Sequence, residues 1–113
     1  MNDTVPQTHE QLLAHFNAQT ARLGWPELVR HFARGVVVNV SSDMDLVAVA
    51  TAMAQDRVDE IEAWTRAGFI RRASDDDAQV WHEQDSVFWA VVVAPWVLVQ
   101  EINDDQKNEN GAS

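Results

Sequence analysis

Apolar residues recur along this chain first at helical spacing and then in β-branched runs, and that alternation sets the expected order of elements. Leu12, Leu13 and Phe16 form a stripe after Thr8, with Gln11 in capping-box position, so a first helix is expected from Thr8 until Gly24 ends it. Pro26 suits the first turn of a second helix, in which Leu28, Val29 and Phe32 recur at helical spacing before Gly35. Val36, Val37, Val38 and Val40, flanked by Gly35 and the Ser41-Ser42 pair, predict a short buried strand.

A third helix is expected from Asp43 or Asp45, with Leu46, Val49, Ala50 and Met53 on one face. Gln55 and Asp56 mark a turn. Asp56 is read as the cap of a fourth helix, with Val58, Ile61, Trp64 and Thr65 inward and Asp59, Glu60, Glu62, Ala63 and Arg66 outward. Glu62 and Arg66 have the spacing of a surface ion pair. Gly68 closes this helix, and residues 69–73 read as a strand. Ser74 then caps a short helix that opens on Asp75, Asp76 and Asp77 and runs through Trp81. Residues 87–99 are continuously apolar and rich in Val, which places them centrally in a sheet or against a second subunit. Pro95 cannot donate to a ladder, so it bends this run into two strands or one kinked strand.

Helix, strand, helix, helix, strand, strand is the order of a winged helix. The expected class is therefore α+β: a winged-helix-like domain, a helix-turn-helix plus a short β-sheet, with an extra N-terminal helix and a short helix inside the wing. It is expected over residues 8–102, between a flexible N-terminus at 1–7 and a disordered acidic tail at 103–113. A generic small α+β domain is the competing architecture.

At 113 residues and 46% apolar content, the chain suits one domain around one core. Its formal charge of −10, from 18 acids and 8 bases, repels nucleic acid and anionic membrane at long range. Glu101, Asp104, Asp105 and Glu109 are read as tail charges, against Lys107. Without cysteine there are no disulfides, thiolate metal sites or cysteine nucleophiles. The N-terminus lacks a signal-peptide pattern, and the run at 87–99 is short of the roughly 20 residues of a membrane helix. A cytoplasmic protein is expected.

The assembled segments resemble a bacterial family catalogued as domain of unknown function 2288. The resemblance rests on Glu27-Leu28-Val29 leading to His31-Phe32-Ala33-Arg34-Gly35, on Met44-Asp45-Leu46-Val47-Ala48-Val49-Ala50, and on Ala63-Trp64 with Ala67-Gly68. Above all it rests on Ala94-Pro95-Trp96-Val97-Leu98-Val99-Gln100. It implies a small bacterial domain and carries no mechanism with it.

Candidate chemistry changes the picture little. His9, His15, His31 and His82 lack paired ligand spacing, and the aspartate groups lack the glycine and terminal glutamate of a calcium loop. Ser41, Ser42, Thr51, Thr65, Ser74 and Ser86 sit in no nucleophile elbow, and Lys107, the sole lysine, falls in the tail. The scattered glycines form no phosphate loop. No catalytic, cofactor-binding or metal-binding residue is assigned, and a non-enzymatic protein is expected. The fourth helix, where a DNA reader faces phosphates, opens on Asp59, Glu60 and Glu62. Arg57, Arg66, Arg71 and Arg72 form a candidate anion or DNA patch, with internal pairing to Asp56, Asp59, Glu60 and Glu62 as the plainer account.

Five tryptophans are many for this length, and core packing accounts for most. Trp89 and Trp96 stand seven residues apart, on opposite faces of an unbroken strand unless a bulge near Pro95 intervenes. A two-stranded wing cannot cover both faces of so apolar a run. The expectation is a homodimer that joins through Val87, Trp89, Val91, Val93, Trp96 and Leu98. The functional reading is a protein-interaction module that self-associates and also meets an unidentified protein partner. A winged-helix transcriptional regulator is the alternative, and a small-ligand sensor or enzyme ranks third.

Overall fold

The computed structural model describes residues 8–102. The flexible start at 1–7 and the tail at 103–113 expected from sequence lie outside the described residues. The element order is α1 (His9–Gln19), β1 (Ala21–Gly24), α2 (Trp25–Ala33), β2 (Val37–Val40), α3 (Leu46–Ala54), α4 (Val58–Arg66), β3 (Ile70–Arg72), α5 (Asp75–Gln84), β4 (Val87–Val93) and β5 (Trp96–Glu101).

Local chemistry starts most helices. Thr8 accepts from the Gln11 backbone N–H while the Gln11 side chain accepts from Thr8 N–H, the capping box read from sequence. Asp45 accepts from the N–H groups of Val47 and Ala48 at the start of α3. Ser74 and Asp77 close a capping box on α5. Asp56 does not cap α4. It takes a left-handed turn conformation with φ 60°, leaving Arg57 at the cap without a side-chain bond.

The strands form one mixed sheet in the order β1-β4-β5-β2-β3, antiparallel except for the parallel β2–β5 pair. Residues 87–99 do divide at Pro95, into the antiparallel β4–β5 hairpin in the interior of the sheet. Their unbroken hydrophobicity follows from helices on both faces. On one face Val38, Val40, Ile70, Val91 and Leu98 pack with Leu12, Phe16, Leu46 and Val49 of α1 and α3. On the other, Val37, Phe88, Ala90, Val97 and Val99 pack with Trp25, Leu28 and Trp81 of α2 and α5.

This α+β architecture departs from a winged helix at the wing. β3 pairs with β2, and β4 lies on the far side of β5 and β2, so no hairpin joins β3 to β4. The reason is α5. Trp81 is buried edge-on against Phe88 and beside Trp25, which anchors the helix over the second face and carries the chain across the sheet between β3 and β4. A further difference is β1, where sequence predicted continued helix. α1 stops at Gln19, Thr20 donates its hydroxyl back to Phe16 O, and Ala21–Gly24 pairs with β4. Glu101, read as a tail charge, is the last residue of β5.

Candidate functional site

One helix covers the sheet poorly. α4 follows α3 through a tight turn in which Arg57 N–H donates to Ala52 O, and none of its residues is buried. Ile61 and Trp64 rest partly on the first-face core, as their stripe predicts, whereas Val58 stays 56% exposed and Thr65 is exposed. A groove of about 310 Å³ remains under the helix, lined by Val38, Met53, Ile61, Ile70, Arg72 and Trp96 among others. It adjoins a recess of about 350 Å³ toward the hairpin tip, which shares Met53, Ile61 and Trp96 and adds Val58, Val93 and Ala94, with Asp56 and Glu62. Trp96 belongs to both.

Register explains why Trp96 lies there. Val38 stands opposite Leu98 in the parallel pair and opposite Arg72 in the antiparallel one, so Trp96, two residues before Leu98, shares their face. The Arg72 guanidinium lies 5.5 Å from the Trp96 ring centroid and donates to Gly35 O at 2.8 Å. This cation–π contact and hydrogen bond hold a positive charge beside an apolar recess.

The six residues expected at a self-association surface fall on one sheet face, because β4 and β5 pair Trp89 with Gln100, Val91 with Leu98, and Val93 with Trp96. Trp89 and Trp96 therefore share a face, through the hairpin rather than a bulge. Val91 and Leu98 are unavailable to a partner. They are 1% and 0% exposed beneath helices of their own chain. Val87 is half-buried opposite Gly24, and Trp89 is exposed toward β1 with Arg22 stacked 5.7 Å from its ring. Of the six, Trp96 alone lines the groove, and Val93 joins it only in the adjoining recess. Sequence reading assigned Arg72 to the anion patch and Val58 to the inward stripe of the fourth helix, and neither to this surface. No local pattern marks them, because the groove is made by strand order.

The four arginines of the candidate patch do not gather. Arg71 and Arg72 are successive residues of β3 and point to opposite sheet faces. Arg57 and Arg66 flank α4 at its two ends, about 13 Å apart along the axis. Among the described residues the ion pairs are Arg57–Glu60, at 3.2 Å, and Arg71–Asp77, so the Glu62–Arg66 pair expected from spacing does not form. Internal pairing holds for Arg57 as read, while Arg71 takes an acid of α5. Arg71 Nη2 donates to Asp77 Oδ1 at 2.9 Å, and hydrogen bonding to Asp77 raises the Arg71 pKa.

No described helix is long and apolar enough to cross a membrane, and no group of three His, Cys, Asp or Glu suited to a metal occurs among the described residues.

Comparison with known proteins agrees with the resemblance read from residues. The sequence model of a family described as protein of unknown function (DUF2288) matches residues 11–101. The NMR solution structure of PA1075 from Pseudomonas aeruginosa is similar, with a TM-score of 0.74 and 38% identity over 93% of this chain and 96% of that one. No curated protein matches the chain.

Proposed function

The chain belongs to the DUF2288 family of proteins of unknown function, and on that basis we propose that it is a non-enzymatic interaction module that pairs with a second copy of itself through the groove beneath α4. It acts in the cytoplasm in this reading. The observation that carries the proposal is the uncovered apolar lining around Trp96, beside a sheet whose neighbouring residues Val91, Val97 and Leu98 are buried. A two-fold interface needs one surface that is its own complement. Exposed Val58 and Ala94 line the recess itself, so in this reading the rim of one copy enters the groove of the other. Charge is mixed as well, with Arg72 in the groove and Asp56 and Glu62 along the adjoining recess. Crossed pairing of such groups sets register across an interface.

The regulator alternative would use α4 against DNA, yet the first turn of α4 exposes Asp59 and Glu60. Light scattering over a dilution series tests the proposal. A dimer mass is expected for the native chain, and a monomer mass for Val58→Asp, whose exposed site leaves the fold intact. A native monomer at every concentration would overturn it. A parallel titration of labelled random-sequence duplex at low salt is expected to be silent. Salt-sensitive binding that weakens in the Arg71→Ala, Arg72→Ala double variant would instead favour the regulator.

A further inference from the structure

A second recess opens where the parallel strands β2 and β5 end, with a lining that shares no residue with the groove. It is a polar cleft of about 350 Å³ whose lining includes Asn39, Ser41, Ser42, Gln84 and Glu101. Its position matches a general property of open sheets, in which ligands bind beyond the carboxyl ends of parallel strands.

Glu101 gives the cleft its chemistry. Its Oε1 accepts from Trp81 Nε1 at 3.3 Å and its Oε2 from Ser86 Oγ at 2.9 Å. Both donors are neutral and almost wholly buried, at 3% and 0% exposure. They fix the direction of the carboxylate without compensating its charge. No Lys, Arg or His among the described residues pairs with it, since the ion pairs there are Arg57–Glu60 and Arg71–Asp77. Each oxygen keeps a lone pair for a further donor. α5 adds to the same sign: it ends at Gln84, and the carbonyl end of a helix carries partial negative charge.

A preoriented, uncompensated carboxylate beside a helix carboxyl end selects for a cation. A divalent metal needs several hard ligands, and no group of three suitable side chains occurs among the described residues. A ligand with N–H donors fits better, because one head can reach both Glu101 oxygens while the serine hydroxyls and the Asn39 and Gln84 amides engage its remaining polar groups. We propose that this cleft binds a small organic cation with an ammonium or guanidinium head seated on Glu101.

NMR titration with 1,4-diaminobutane tests this, at about 150 mM salt to screen diffuse attraction to an acidic protein. Saturable shifts are expected at the Trp81 indole N–H and at the amides of Ser41, Ser42 and Ser86. Tetramethylammonium, of like charge but without N–H donors, is expected to leave these signals in place. Glu101→Gln is expected to weaken diaminobutane by about tenfold or more, as loss of a charge-assisted hydrogen bond implies. Equal response to both cations, shifts spread over the acidic surface without saturation, undiminished affinity in Glu101→Gln, or silence at concentrations on the order of 10 mM would each overturn the proposal. Should the variant misfold, the contrast between the two cations on the native chain decides alone.

Discussion

Glu101 and Asp77 are both partly buried carboxylates, but only Asp77 has a cation beside it. Burial pushes the Asp77 carboxyl up, while the Arg71 guanidinium and the backbone N–H and hydroxyl of Ser74 pull it down further, leaving it below the ordinary carboxylate value. Because the folded-state value is the lower one, the stabilisation is fully present above about pH 4, the unfolded range. It is lost as pH falls through the folded value. Asp77→Asn is therefore expected to cost at most about 1 kcal/mol at neutral pH, since Arg71 is half exposed. Urea melts across pH should show the gap between variant and native chain closing below about pH 4. Gln100 offers a sharper test. Its Nε2 donates to Ser41 O at 2.8 Å and Met44 O at 2.7 Å, tying the β2–α3 loop to β5. Gln100→Ala removes this donor from Met44 O, whereas Ser41 O keeps the Met44 N–H at 3.0 Å, and a loss of about 1–3 kcal/mol is expected in denaturant melts. Ser74 as a cap before three acids was readable from spacing, whereas the reciprocal bond from Ser74 N–H to Asp77 and the distant partners of Gln100 and Glu101 were not.

At the scale of elements, α4 differs from its neighbours. α3 buries Leu46, Val49, Ala50, Thr51 and Ala52, while α4 buries nothing fully. Local opening follows buried contact, so α4 amides are expected to exchange hydrogen faster than those of α3 or β4. Exchange measured by NMR checks this, and equal protection of α3 and α4 would mean that something covers the groove. Helix starts were legible wherever a side chain bonds the backbone within three residues, as at Thr8, Asp45 and Ser74. Asp56 misled because a residue type suited to capping also tolerates the left-handed turn it occupies here. β1 was missed because Ala21–Gly24 is too short to display alternation, and its pairing with β4 is what makes it a strand.

For the whole molecule, charge and shape act against each other. Two copies at −10 repel, and contact between apolar surfaces has to offset most of it. Dimer fraction in light scattering is therefore expected to rise with added salt, the reverse of what DNA binding would do. The sheet is not a two-stranded wing with bare faces: α1 and α3 bury Val91 and Leu98 on one face, while α2 and α5 bury Phe88, Ala90, Val97 and Val99 on the other. Of the six residues expected at the interface, Val93 and Trp96 line the recess beside Val58, while Trp89 is exposed elsewhere on the sheet. Sequence by itself determined that the helices occur, the caps at Thr8, Asp45 and Ser74, the strand character of 37–40 and 87–99, the break at Pro95, the net acidic charge and the family resemblance, most of them because they depend on neighbours a few residues apart. The five-strand order, the parallel β2–β5 pair, the crossing by α5, the groove at Trp96 and the setting of Glu101 were decided only in three dimensions. They depend on which distant strands share hydrogen bonds, and a run of Val that can pair on either side carries no record of its partner.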